Sequence, residues 1–161
     1  MCSSDLTPLL AIRRMIEEIA PVVDPRAVII DTGSTKTEVL RWADEYLPEH
    51  EGFVGGHPMA GKTRTGPEAA DADLFQGARW VVVPTVRSSE GAINVALWLA
   101  DALGATSMFM DASEHDAYVA AISHMPMLAA CAMFSMERAS DAWPELSVLA
   151  AGGFRDTTRL A

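Results

Sequence analysis

Apolar and polar positions follow two patterns along the first part of the chain. One is helical spacing, in which apolar side chains recur at i, i+3, i+4 and i+7, as at Ile12, Met15, Ile16 and Ile19. The other is a short continuous apolar run, typical of a strand buried on both faces, at positions 27–30 and 80–83. Short segments at positions 52–55 and 106–110 are also predicted to be strands. Because the two patterns alternate, the sequence predicts an α/β fold with a parallel sheet built from crossover units.

The pattern changes after Asp111. From Glu114 to about Ser140 the chain is continuously helical in composition and rich in Ala and Met. Pro126 is the only interruption, and we expect it to kink or break the helix because proline has no backbone N–H. The Gly-Gly-Phe segment at 152–154 predicts a loop that leads to Arg159. The layout is therefore an α/β part over 7–110, followed by the start of an all-helical part over 111–161.

Composition narrows the class of protein. Half of the 161 residues are apolar, and the net charge is −10 from 22 acidic and 12 basic side chains. No cluster of Lys and Arg is present, so we expect no nucleic-acid partner. No apolar stretch approaches the roughly 18 to 20 residues that span a bilayer, so we expect no membrane partner and a cytoplasmic location.

The cysteines and the first residues add two expectations. Cys2 and Cys131 have neither metal-ligand nor disulfide spacing, so the sequence predicts no metal site, and Cys131 is expected to be a buried small hydrophobe. Residues 1–6, Met-Cys-Ser-Ser-Asp-Leu, are what a common sequencing adapter encodes when it is read from a GTG start. We therefore expect residues 1–6 to be non-native and the native frame to begin near Thr7.

Polar residues follow the first two predicted strands. Asp31 ends the first apolar run, and Ser34 lies in the turn after it, where ligands bind in open α/β sheets. Ser34 is also suited to cap the next helix, and on chemistry alone we favour the cap. His57 follows a pair of glycines and precedes a proline. It is a natural general base near neutral pH, or else it orders its loop through hydrogen bonds.

Further candidates lie in the second part. His124 lies beside the expected kink at Pro126 and either faces a site or is an ordinary core histidine. His115 and Asp116 lie at a helix start, where a solvated first turn is the favoured interpretation. Arg159 is either a fork for a carboxylate or a surface charge. Position alone leaves these alternatives open.

Motifs for common cofactors are missing from the sequence. A dinucleotide-binding sheet normally begins with G-x-G-x-x-G at its first strand–helix turn, and no such motif occurs in these residues. The sequence also contains no H-E-x-x-H, no paired-cysteine metal motif, no P-loop and no G-x-S-x-G elbow. Either the fold does not bind a nucleotide, or the first βαβ half of a Rossmann-like sheet is missing.

Taken together, six short motifs resemble the prephenate and arogenate dehydrogenases of tyrosine biosynthesis. In chain order they are Asp31-Thr-Gly-Ser-Thr-Lys36, Gly56-His-Pro-Met-Ala-Gly61, Leu74-Phe75, His115-Asp116, Ser123-His-Met-Pro126 and Gly152-Gly-Phe-Arg-Asp-Thr-Thr-Arg-Leu-Ala161. Each is weak alone, but six in the right order cover nearly all of the chain. The resemblance implies a partial Rossmann-like domain over 7–110, its C-terminal half, and the beginning of a helical substrate-binding and dimerisation domain over 111–161.

The resemblance also implies a reaction, the oxidative decarboxylation of prephenate or arogenate with NAD or NADP. His57 would be the base that takes the hydroxyl proton, and Ser34 would hydrogen-bond the same hydroxyl beside the nicotinamide. Arg159 would bind a substrate carboxylate through its planar fork. The full-length protein would form a homodimer.

The remaining implied contacts divide between substrate and cofactor. The substrate pocket would include His124 and Gly152. The cofactor would lie along Thr7, Asp31 and Ser34.

Two positions depart from the family pattern. Met127 stands where the Ser-His-Leu-Pro-His pattern has its second histidine, and Thr63 stands where many members carry a glutamate. The glycine turn would precede Thr7 and the rest of the helical domain would follow Ala161, so we expect this chain to be inactive alone. The alternative is a non-catalytic fragment or binding subunit of the same ancestry. A β-hydroxyacid dehydrogenase is disfavoured, because those enzymes lack the His-Pro-Met-Ala-Gly loop.

Overall fold

The computed structural model describes residues 8–62, 67–159 and 161. Thr7 and Thr63, two positions discussed above, lie outside the described residues. The described chain forms two compact units, one up to Ala117 and one from Tyr118 onwards.

A four-stranded sheet forms the centre of the first unit. Its strands follow the order of the chain: β1 (Ile29–Ile30), β2 (Phe53–Pro58), β3 (Arg79–Pro84) and β4 (Thr106–Phe109). The helices of this unit are α1 (Leu9–Ile19), α2 (Thr37–Tyr46) and α3 (Glu90–Ala102). The predicted alternation of helices and strands is confirmed, and so is the α/β fold class.

The sheet is mixed rather than wholly parallel. β1 pairs with β2 and β3 pairs with β4 in parallel, each pair being joined through a helix, α2 or α3. β2 and β3 pair antiparallel, which the sequence did not predict. A parallel pair needs a crossover connection. Among its described residues, the segment between β2 and β3 contains only a short 3-10 turn (Pro67–Ala69), so the chain returns directly beside β2.

Helices cover both faces of the sheet. Residues of α1 and α2 pack in a cluster that includes Phe53, whereas α3 packs in a second cluster that includes Val54. Neighbouring residues of a strand point to opposite faces, so the two clusters lie on opposite sides of β2. On α3 the buried positions are alanines, which let the helix approach the sheet closely. The core of the first unit is therefore made of two apolar layers, one on each side of the sheet.

A continuous helical run, Ala112–Arg138, leads into the second unit. It consists of α4 (Ala112–Val119), a π-helical turn (Ala120–His124) and α5 (Met125–Arg138). Pro126 cannot donate a backbone hydrogen bond, and the wide turn comes just before it, with the Met125 N–H bonded to the Ala120 carbonyl. The irregularity predicted at Pro126 is present as this π turn, and the helix continues beyond it.

Two short helices follow, α6 (Trp143–Leu149) and α7 (Gly152–Thr158). The prediction of a loop at 152–154 is therefore wrong. Trp143 packs against Phe134 of α5, with ring centroids 5.7 Å apart, and against Phe154 of α7 at 6.4 Å. Most helix stability in proteins comes from such packing, and here it offsets the low helix propensity of the two glycines.

The helical run exposes a large apolar surface. Its exposed apolar side chains are Tyr118, Ile122, Met125, Leu128, Met133 and Met136. Its 27 residues are long and apolar enough to cross a membrane, so the expectation that no such stretch exists is wrong for length and composition. Cys131 on α5 is half-buried rather than buried.

Candidate active site

Asp31 and Lys36 form a buried ion pair at the end of β1. The Asp31 carboxylate accepts hydrogen bonds from the backbone N–H of Gly33 (2.9 Å), from that of Gly56 (3.0 Å) and from the Lys36 ammonium. Lys36 is completely buried and also donates to the Gly56 carbonyl at 2.6 Å. The pair therefore fixes both backbone groups of the residue that precedes His57.

Burial dominates the electrostatics of this pair. It raises the pKa of Asp31 and lowers the pKa of Lys36, because a low-dielectric environment disfavours both charged forms. The attraction between the two groups and their hydrogen bonds opposes both shifts. The Asp31 carboxylate is thus engaged inside the protein, and its assignment to the cofactor stays a prediction.

Gly56 is required where β2 passes close to its neighbours. A Cβ at this position would lie 2.7 Å from the Asp31 carbonyl oxygen and 3.0 Å from Trp80 Nε1. A larger residue would push β2 away from the ion pair or from β3. The glycine before His57 therefore serves the close packing of backbone and side chains that positions the histidine.

His57 belongs to β2 rather than to the loop after it, and its strand partner is Val81. The side chain is buried, with 6% of the residue exposed. Its Nδ1 lies 2.8 Å from Nε2 of His115, and the two rings meet edge to face with centroids 5.0 Å apart. The candidate base is thus held by a strand on one side and by a second histidine on the other.

His115 connects His57 to a carboxylate. The residue lies on α4, only 1% exposed, and its Nδ1 is 2.8 Å from Asp116 Oδ1. Asp116 also accepts hydrogen bonds from the backbone N–H groups of Lys36 (2.7 Å) and Thr37 (2.9 Å), at the start of α2. Although partial burial by itself raises the pKa of Asp116, hydrogen bonds from Thr37, Lys36 and His115 outweigh it and hold the pKa below its ordinary value.

The structure corrects two sequence-based interpretations here. Ser34 does not cap α2: it is half-buried in the bend after β1, and Lys36 occupies the N-cap without a side-chain cap. The Asp116 carboxylate, 80 residues away in sequence, supplies the cap instead. The expectation of a solvated first turn at His115 and Asp116 is also wrong. One signal was available, because His115 and the buried Val119 are four residues apart and share a helix face.

The other candidates lie in the second unit. His124 ends the π turn and is half-buried, and Met127 is half-buried on α5. Gly152 begins α7 and is exposed, and Arg159 directly follows α7 and is also exposed. The structure brings Asp31, His57, His115 and Asp116 together within the first unit. The roles implied for His124, Gly152 and Arg159 stay predictions.

The fold and the site together define a class of protein: an α/β unit of the dinucleotide-binding kind, with a buried histidine near the end of a central strand, followed by a helical unit. The chain belongs to the prephenate dehydrogenase family. Residues 6–109 match the family's nucleotide-binding domain, and residues 111–161 match its dimerization domain.

Individual relatives agree with this assignment. The chain is 36% identical over 157 residues to a prephenate dehydrogenase of Bacillus subtilis, covering 96% of this chain and 42% of that protein. A Synechocystis arogenate dehydrogenase structure is 30% identical with a TM-score of 0.78, over 96% of this chain and 55% of that one. A prephenate dehydrogenase of A. aeolicus, solved with hydroxyphenyl propionate and NAD+, is 26% identical with a TM-score of 0.87, over 96% and 54%. The chain therefore spans about half the length of these relatives.

Proposed function

We propose that the protein carrying this chain is an NAD(P)-dependent prephenate or arogenate dehydrogenase that acts in tyrosine biosynthesis. The observation that supports this most directly is His57, a buried imidazole near the end of β2 whose Nδ1 contacts a second histidine. A dehydrogenase of this kind must remove the substrate hydroxyl proton, and histidine suits that role near neutral pH.

The proposed reaction distributes three tasks among residues of the chain. His57 takes the hydroxyl proton, while Ser34 hydrogen-bonds the same hydroxyl. Arg159 binds a substrate carboxylate with its planar fork, and His124 and Gly152 contribute to the substrate pocket. Loss of CO2 makes the ring aromatic and supplies the driving force, so the protein mainly positions its groups and holds the proton.

A dinucleotide fits part of these residues. The bend with Ser34 follows β1 at its carboxyl end, the place where α/β sheets bind ligands, and beside it the buried Thr35 hydroxyl has no hydrogen-bond partner in the described part of the chain. The glycine turn that holds a pyrophosphate does not occur in the sequence. We propose that Ser34 and its neighbours hold the nicotinamide end, where the bound cofactor supplies a hydride acceptor.

Several finer points belong to the same proposal. The A. aeolicus relative was solved with NAD+, which supports NAD as the cofactor, and NADP remains the alternative. The match of residues 111–161 to a dimerization domain supports a homodimer in which the exposed apolar face of the helical run is covered by protein rather than by lipid. We also propose a cytoplasmic location for this biosynthetic enzyme.

The test is to recover the genomic reading frame around this chain, express it, and assay prephenate and arogenate with NAD+ and NADP+. We expect reduction of the dinucleotide together with release of CO2 with at least one pair. Absence of turnover with all four pairs, in a folded protein that contains a complete glycine turn, would remove the proposed activity.

A non-catalytic binding subunit of the same ancestry is the second candidate. Met127, in place of the family's histidine, favours it. Calorimetry of the 161-residue chain with prephenate and with NAD+ separates the two, because a binding subunit should bind one of them tightly without the rest of the enzyme.

A further inference from the structure

The Asp116 carboxylate can only accept hydrogen bonds in this structure. Two backbone N–H groups, those of Lys36 and Thr37, point at its two oxygens at 2.7 and 2.9 Å. Backbone N–H groups can only donate, and an ionised carboxylate can only accept. The contact between Asp116 Oδ1 and His115 Nδ1 at 2.8 Å must then be made by a proton on Nδ1 of His115.

The position of that proton determines the next contact. In a neutral imidazole that carries its proton on Nδ1, Nε2 is an acceptor. The atom 2.8 Å from His115 Nε2 is Nδ1 of His57, so His57 must donate from Nδ1. A neutral His57 then has its lone pair on Nε2, the only nitrogen of the ring with which it can accept a substrate proton.

We propose that His115 and Asp116 are positioning residues that hold His57 in the tautomer with its proton on Nδ1 and its lone pair on Nε2. This inference rests on the proposed role of His57 as the base. When His57 takes a proton, its Nδ1–H remains bonded to His115, and the negative Asp116 lies beyond that ring. The series of hydrogen bonds therefore also stabilises the imidazolium cation that forms at His57. The arrangement follows the logic by which a third group orients a catalytic base.

His50 provides an internal reference with the opposite tautomer. It lies just before β2 and is nearly as buried as His57, at 9% exposure. Its Nδ1 accepts from the Gly52 N–H at 3.0 Å, which places the His50 proton on Nε2, 3.3 Å from the Asp24 carbonyl oxygen. One protein should therefore contain two buried histidines in different tautomers.

Nitrogen NMR of the histidine-labelled chain tests the tautomer without any assay of activity. The sequence has four histidines, so single substitutions assign each ring. At about pH 8, above the ordinary histidine pKa of about 6.5, we expect a protonated Nδ1 for His57 and a protonated Nε2 for His50. A His57 ring protonated on Nε2 in the unsubstituted chain would overturn the proposal.

Substitution of His115 distinguishes a relay, the hydrogen-bonded series Asp116–His115–His57, from simple packing of the two rings. His115→Leu removes the acceptor, and the His57 ring should lose its single tautomer, whereas His115→Gln can accept through its side-chain oxygen and should restore it. In Asp116→Asn the side-chain amide can donate to His115. This would reverse the direction of both hydrogen bonds and move the His57 proton to Nε2. His50→Gln should change none of these signals. An unchanged His57 tautomer in both His115→Leu and Asp116→Asn would contradict the proposal.

Kinetics of the longer protein then connect the tautomer to turnover. We expect His115→Leu to lower kcat about 10- to 100-fold, the same order as the loss of a partner that orients a metal-bound histidine, with little change in KM and with most activity restored in His115→Gln. A shifted His57 tautomer with unchanged kcat would show that His115 does not position His57 for catalysis. The proposed function itself would fail differently, through absence of turnover with every pair of substrate and cofactor in the unsubstituted longer protein.

Discussion

His57 lies at the end of a chain of contacts that begins 59 positions further along the sequence, at Asp116. Its neighbours divide two tasks between them. The Asp31–Lys36 pair fixes the backbone just before it, and His115 fixes its ring. A side chain with this much support loses little conformational freedom when a substrate binds, which is what a positioned general base requires.

The first prediction concerns the proposed role of His57 as a base. In the longer protein, His57→Asn should lower kcat by roughly two to four orders of magnitude, because loss of a general base typically costs that much. KM should change little, since the hydroxyl proton is transferred only in the transition state. Steady-state kinetics with prephenate checks this, with His50→Asn as a control histidine of similar burial. Unchanged kcat in His57→Asn would remove this residue from the mechanism.

A second prediction concerns the proposed carboxylate clamp. Arg159→Ala should raise KM strongly and affect kcat less, because an ionic contact to a substrate carboxylate exists in both the ground state and the transition state. Arg155 is a matched control, since it is also exposed and lies one turn earlier on α7. A normal KM in Arg159→Ala, or an equal rise in Arg155→Ala, would contradict the clamp.

At the scale of elements, a buried ion pair should contribute much more to the free energy of unfolding than an exposed one. Lys36→Met leaves Asp31 buried without its partner, and breaking a buried pair from one side costs about 3 to 5 kcal/mol of unfolding free energy. Lys62→Met breaks the half-exposed pair with Asp71 and should cost under about 1 kcal/mol. Urea denaturation of both variants measures this, and similar losses for the two would show that the buried pair does not anchor β1, β2 and α2.

The cap of α2 should make stability depend on pH. The pKa of Asp116 is lower in the folded protein than its ordinary value of 3.8, so the folded state favours the carboxylate. Its contribution is therefore complete above pH 3.8 and is lost as the pH falls through the folded-state pKa. The stability difference between the unsubstituted chain and Asp116→Asn should be largest near neutral pH and shrink in acid.

Thermal unfolding followed at several pH values checks this dependence, with Asp141→Asn as a control for the loss of an exposed carboxylate in the second unit. A difference between the chain and Asp116→Asn that stays constant from neutral pH to about pH 3, below the ordinary aspartate pKa of about 3.9, would show that the carboxylate does not stabilise α2 through its charge.

Elements defined by local pattern were predictable from the sequence. The apolar run at Trp80–Val83 carries its own signal, and the strand lies where it is expected. The antiparallel pairing of β2 with β3 depends on what connects them, and α7 depends on the packing of Phe154 against Trp143. Neither property is contained in the local spacing of apolar residues.

The candidate site likewise contains one residue that local sequence indicates and others that only tertiary contacts reveal. The candidacy of His57 as a base rests on its glycine and proline neighbours and on the resemblance that they carry. The contacts of His115 and Asp116 join residues 58 to 80 positions apart. A histidine–aspartate pair at a helix start has a common surface interpretation, so only the three-dimensional fold distinguishes a relay from a solvated turn.

At the scale of the whole molecule, the part of its relatives that this chain covers bears on whether it can reduce a dinucleotide alone. It matches the nucleotide-binding and dimerization domains of the family but spans about half the length of its relatives, and its sequence contains no glycine turn for a pyrophosphate. Such a turn and the helix N-terminus after it bind the phosphates of a dinucleotide. We therefore expect the purified 161-residue chain to show no reduction of NAD+ with prephenate.

The reading frame extended to the length of the relatives should restore the reaction, and His57→Asn in that longer protein should bind NAD+ without reducing it. This variant is the necessary control, because it separates failure to bind the cofactor from failure of the chemistry. Fluorescence or calorimetric titration with NAD+ and absorbance of the reduced cofactor measure the two steps independently. Turnover by the 161-residue chain would show that its residues hold the whole cofactor by another route, and the division of work between the two halves of the nucleotide-binding domain would have to be reassigned.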